Sequence, residues 1–265
     1  MGSFSDFLEN EILDHIMGVG SWTSPATVYV GLSTADPLDT GGNLAEPSGN
    51  GYIRKAISFG SAGSRAITQD AIVNFNEATG SWGTVTHWAL FNAESAGNML
   101  AHGQLSTSRS IVSGNTPSIA SGQVVVSVST GGMSTYLANA MLDHCFNSTT
   151  YTQPSIYVGL AETAMSDATT GSTVDELEMT GYAREAKTSG GTDWGTASGG
   201  ATSNSTLIDF GALTGTSETV EAAFIADNLS TGAGNILFYD NSPSQVIGDG
   251  DTVQFPIGDF DISIS

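Results

Sequence analysis

The chain has 265 residues, enough for two units of ordinary domain size, each able to bury a core. Hydrophobic residues make up 39% and there are 33 glycines, a mixture that fits short strands joined by many turns and argues against a disordered chain. Six Lys and Arg stand against 27 Asp and Glu, a formal charge of -21, so the cations needed to displace counterions from nucleic acid, or to hold an anionic membrane surface, are missing.

Residues Phe4 to Met17 read as a helix, with Phe4, Phe7, Leu8, Ile12 and Ile16 near one face, Ser3 or Ser5 as cap and Gly18 as terminator. The run Thr27-Val28-Tyr29-Val30-Gly31-Leu32 has little polar relief and predicts a strand covered on both faces. From Asp36-Pro37 to Gly51 the chain is dense in Gly, Pro, Asn and Asp, a long loop and a candidate contact arm. Strands are expected over 51–59, 71–75, 84–91, 99–105 and 124–128. In the third of these, Thr84–Phe91, both faces are largely apolar, which places it centrally in a sheet. Ser129-Thr130-Gly131-Gly132 reads as a flexible linker.

The order then repeats. Leu13-Asp14-His15 returns as Leu142-Asp143-His144, Tyr29-Val30-Gly31-Leu32 as Tyr157-Val158-Gly159-Leu160, and Gly51-Tyr52-x-Arg54 as Gly181-Tyr182-x-Arg184. Val73-Asn74-Phe75 matches Ile208-Asp209-Phe210, and Gly97-Asn98-Met99-Leu100 matches Gly234-Asn235-Ile236-Leu237. The offset drifts only across Gly/Ser-rich stretches, as insertions in the surface loops of a duplicated unit should make it. The expectation is a mainly β chain of two tandem β-sandwich or jelly-roll-like domains, 1–130 and 131–265, each preceded by a short helix.

No catalytic constellation emerges. Asp14-His15 and Asp143-His144 are adjacent pairs whose members point apart on a helix, and no G-x-S-x-G elbow exists. Cys145 stands where the first copy has Ile16, which marks a small buried apolar site, and as the single cysteine it can form no internal disulfide. The four histidines, His15, His87, His102 and His144, show no metal-ligand spacing; His87 faces Ala222 in the repeat comparison. Asp249 and Asp251, with Asp259 and Asp261, lack the spacing of a calcium loop and read as an acidic turn. Arg54 and Arg184, two of six cations at equivalent places, are expected to fork onto a carboxylate or carbonyls, with a neighbouring subunit as the alternative. No cofactor and no metal is expected. No run of about 18 apolar residues and no basic start before an apolar core exists, so neither a membrane span nor a signal peptide is expected.

The first-half series Thr-Val-Tyr-Val-Gly-Leu-Ser-Thr-Ala-Asp-Pro (27–37), Gly-x-Gly-Tyr-x-Arg (49–54), Val-Asn-Phe (73–75) and Trp-Gly-Thr-Val-Thr-His-Trp-Ala-Leu-Phe-Asn-Ala (82–93) resembles tailed-bacteriophage virion proteins labelled minor capsid, decoration or tail-fibre-like. The second half lacks the Trp-Gly-Thr-Val-Thr-His-Trp block. The resemblance implies a virion component made in the host cytoplasm. The leading expectation is a capsid decoration protein on the shell exterior, contacting the major capsid protein or other virion proteins, homo-oligomeric and not an enzyme. The alternative is a tail-fibre or adhesin component binding the host surface, with Trp22, Trp82 and Trp194 as stacking groups. Expected contact residues are Phe4, Phe7, Asp36, Pro37, Arg54, Trp82 and Arg184.

Overall fold

The computed structural model describes residues 2–187, 191–241 and 244–264. The first repeat runs β1 (Gly2–Phe4), α1 (Asp6–Met17), β2 (Val28–Ser33), β3 (Lys55–Ile57), β4 (Ala66–Thr68), β5 (Val73–Asn74), β6 (Gly83–Phe91), β7 (Met99–Ile111), β8 (Ser118–Ile119) and β9 (Val125–Ser127). The second runs α2 (Thr135–Phe146), β10 (Ile156–Ala161), β11 (Glu185–Lys187), β12 (Ala201–Ser203), β13 (Ile208–Ala212), β14 (Glu218–Val220), β15 (Ala222–Ala226), β16 (Ile236–Asp240), β17 (Gln245–Ile247), β18 (Thr252–Phe255) and β19 (Asp261–Ser263). The chain is mainly β, with one helix in each repeat among the described residues.

The doubly apolar run predicted a covered strand, and β2 is one: it lies between β3 and β6, with Val30 opposite Leu90 and Leu32 opposite Trp88. Its copy β10 lies between β11 and β15, with Gly159 opposite Phe224. In the first repeat the sheet continues through β7, β1, β9 and β4, and a bridge between Phe59 and Gln69 brings its far edge back beside β3. The sheet therefore rolls up on itself. In the second repeat the same roll is built from shorter pieces: β12–β19 stands for β4–β9, and Trp194–Asn204 for Phe59–Gln69. There β6 corresponds to β14 plus β15, since Glu218 and Ala222 align with Gly83 and His87.

Both helices start on a serine that accepts the N–H three residues on, Ser5 from Leu8 at 3.3 Å and Ser134 from Leu137 at 3.1 Å. Gly18, at φ 75°, ends α1 in the left-handed conformation. The helix starts at Asp6 and not at Phe4, because Gly2–Phe4 pairs with β7 and completes the sheet. Two further expectations change. Strand 51–59 shrinks to β3, because the Tyr52 and Arg54 side chains turn inward to the half-buried Glu46 carboxylate. The stretch 129–132 is tied down: Arg65 donates to Ser129 O, Gly131 N to Asp167 at 3.0 Å, and Tyr239 N to Gly132 O at 2.7 Å.

The apolar core does not stop at the junction. Leu8, Ile12 and Ile16 of α1 and Leu137, Met141 and Cys145 of α2 belong to one buried cluster that takes in Val30, Leu32, Val158 and Leu160. Each such Leu or Ile contributes about 1.5–3 kcal/mol by leaving water. α1 rests on β7 of its own repeat and β12 of the other; α2 rests on β16 and β4.

Candidate functional site

Each repeat contains the same polar knot. In the first, the Tyr52 hydroxyl donates to Glu46 Oε1 at 2.7 Å and accepts from Leu32 N at 2.8 Å. Arg54 forks onto Glu46, with Nη2 at 2.5 Å from Oε2, donates through Nη1 to Ala93 O and Ala96 O, and lies 3.3 Å over the Phe91 ring. In the second, Tyr182 donates to Glu176 at 3.0 Å, Arg184 pairs with Glu176 at 2.7 Å, and its Nη1 donates to Asn228 O and Ala233 O. Burial first, with the adjacent carboxylate, drives both phenols far above their ordinary range, so they stay protonated donors. The knot explains the invariant Gly of the strand motif: a Cβ on Gly31 would sit 2.5 Å from Glu46, and one on Gly159 2.2 Å from Phe224. Chemically it is closed, because every charge in it already has a partner.

The two repeats meet about an approximate twofold axis. Asp14 accepts from Ala197 N at 2.7 Å, and Asp143 from Ala62 N at 2.7 Å. Asn10 accepts from Gly200 N and Asn139 from Arg65 N, both at 2.9 Å. Ser24 donates to His144 O, and Gln153 to His15 O. Each contact of residue i with j is thus matched by the contact of their equivalents in reverse, the signature of an isologous interface. On the axis His15 stacks on its own counterpart His144, ring centroids 5.2 Å apart. Burial, then the neighbouring His15, holds the His144 imidazole below its ordinary pKa.

The copies differ where they face solvent. In the first, His102 meets Asp39 at 2.8 Å, and His87 and His102 flank Asp36 at 3.9 and 3.7 Å. In the second, Tyr239 meets Asp167 at 2.6 Å. The turn between β3 and β4 holds Ser64 and Arg65 at φ 51° and 64°, where its counterpart has Gly199 and Gly200, the residues such turns favour. Arg65 donates from there to Val128 O and Met133 O and approaches Asp167 at 3.5 Å. A cleft of about 630 Å³ opens in the first repeat between β7 and residues 114–120; the same place in the second repeat holds about 200 Å³.

The family described as podophage GP4 fiber I protein gp80 matches the chain twice, over residues 3–127 and again over residues 132–263. The chain belongs to that family. It is a bacteriophage virion structural protein carrying a tandem duplication. No curated protein matches it.

In this fibre-family chain the seven expected contact residues are dispersed. Phe4, Pro37, Arg54, Trp82 and Arg184 are buried, Phe7 is half-buried, and only Asp36 is exposed. Trp194 is buried, Trp82 donates its indole N–H to Asn50 O at 2.9 Å, and Trp22 lies edge-on to His144. Trp82 and Trp194 therefore offer no face to a sugar, which corrects the stacking role given to them; both are consumed in packing. Asp251 serves its own turn, accepting from Gly248 N, Asp249 accepts from Gly215 N in a neighbouring turn, and no group of three metal-ligating side chains occurs among the described residues. Sequence reasoning missed Glu46 and Glu176, although each stands eight residues before its arginine, and it missed Arg109 altogether.

Proposed function

We propose that the chain is a rigid structural subunit of a podophage-type tail fibre, with the capsid-decoration reading set aside. The observation that carries this is the family match, which takes in both repeats in turn. The geometry supports a brick-like part. A fused pseudo-dimer with a shared core and reciprocal contacts keeps its outer faces at fixed spacing, as a fibre under load requires. Its partners are other virion proteins and further copies of itself, not nucleic acid. It performs no reaction: its buried arginines, glutamates, tyrosines and histidines hold loops and repeats together. Cryo-electron microscopy of the intact particle tests this. Density for the chain in the tail fibres is the expected result. Density on the shell lattice with none in the fibres would restore the decoration reading and overturn this one.

A further inference from the structure

The two repeats offer one place in the fold in two states. In the first, the floor is formed by Leu32, Phe75 and Val85, and the rim by Ser106, Arg109 and Asn115. In the second, Leu160 and Val220 remain, but Phe255 stands at the register position of Ile119, beside Phe210, and Gln245 stands at that of Arg109. The larger ring and the lost cation close the copy.

Arg109 is unlike the other five cations. Arg54 and Arg184 are paired with glutamates, Arg65 with backbone carbonyls, Lys55 with Asn76 and Lys187 with Leu207 O. Arg109 is exposed, and its guanidinium has no hydrogen bond or ion pair to another described residue, while its backbone pairs with Val85 in the sheet. A guanidinium fork left free at the mouth of a cleft matches a carboxylate. The cleft's volume of about 630 Å³ lies in the range of small-ligand sites, and its rim carries the polar groups that would set orientation. The Ser106, Thr107, Ser110, Thr116 and Ser118 hydroxyls can each give and take hydrogen bonds, and the Asn115 amide, whose Oδ1 accepts from Val112 N at 3.1 Å, has N–H groups to give, which suits a ligand carrying several hydroxyls. The chain's charge of -21 repels a polyanion, so the ligand carries an isolated carboxylate.

We propose that this first-repeat cleft binds a saccharide bearing one carboxylate, with Arg109 taking the acid and the Ser and Thr hydroxyls of the rim taking the sugar's hydroxyls. The site goes beyond the fibre assignment and is tested on the purified chain, so its failure leaves that assignment standing. The full chain is titrated by calorimetry and by saturation-transfer NMR with a glucuronate–glucose disaccharide and with the matching glucose disaccharide, at equal ionic strength. The acidic sugar is expected to bind saturably, and the neutral one roughly tenfold more weakly or worse. Arg109→Gln, which copies Gln245, is expected to cost the acidic sugar about tenfold, and Ile119→Phe, which copies Phe255, to abolish binding of both. Melting curves accompany both variants. Equal affinity for the two sugars, absence of binding to the folded chain, or an unchanged affinity in Arg109→Gln overturns the proposal. So does tighter, Arg109-dependent binding of an aspartate-containing peptide, which would make the cleft a protein contact.

Discussion

Asp143→Ala tests whether the two repeats form one cooperative body. Asp143 sits on α2 of the second repeat and accepts from Ala62 N of the first at 2.7 Å. Removing the carboxylate leaves a half-buried N–H without its acceptor. A hydrogen bond to a charged group contributes about 1.5–3 kcal/mol, and partial exposure places this one near 2 kcal/mol. With all 265 residues unfolding together, an entropy of about 2.1 cal/mol/K per residue converts that loss into a fall in Tm of about 4 °C. Were each repeat a separate unit of half the size, one transition would fall by about 7 °C and the other would stay in place. Scanning calorimetry distinguishes these outcomes, since a single unit also gives equal van't Hoff and calorimetric enthalpies. The counterpart Asp14→Ala, which removes the acceptor of Ala197 N, is expected to lower the same single transition by a similar amount. Two resolved transitions in the unmodified protein, or a shift confined to one of them, would refute the continuous core.

Gly159→Ala drives a Cβ to 2.2 Å from the Phe224 ring, itself fully buried, so overpacking is expected to cost about 3 kcal/mol in urea unfolding; an unperturbed midpoint contradicts the packing described. Glu9 faces Asp39 and Asp6 and lies against Gly200, and burial first, then those carboxylates, raises its pKa to about 7. Because the folded value lies above the unfolded one, the ionised form is penalised only in the folded state, and stability falls as pH rises from about 4.5 through about 7. After discounting for solvent screening, Glu9→Gln should stabilise by about 1–2 kcal/mol at pH 8 and hardly at all at pH 4, read from melting curves at both. Cys145 is buried on α2 with its thiol pushed well up by burial, so alkylation by iodoacetamide at pH 8 should wait for unfolding; rapid labelling of the native chain would show that the junction opens locally.

Much of the architecture follows from local pattern. Val28–Leu32 and its copy have no polar face to leave in water, so they had to be interior strands, and Ser5 and Ser134 announce helices because a serine oxygen can satisfy an orphan N–H. The duplication is also legible, since Gly-Tyr-x-Arg and Leu-Asp-His recur in order, and the repeats they mark are those the family match covers. Asp14 and Asp143 were visible as repeated residues, yet their role was not, because the N–H each accepts belongs to the other repeat, 183 and 81 residues away along the chain. The same holds for Phe4, whose place in a helical apolar pattern lost to a pairing with β7. For the cleft, residue type alone does not reveal that the Arg109 side chain lacks a partner among the described residues while five other cations have one; that depends on which side chains the rolled sheet brings within reach. Periodicity and capping act over a few residues and are written in the chain, whereas charge pairing and enclosed volume act between residues far apart and exist only once the sheet has closed.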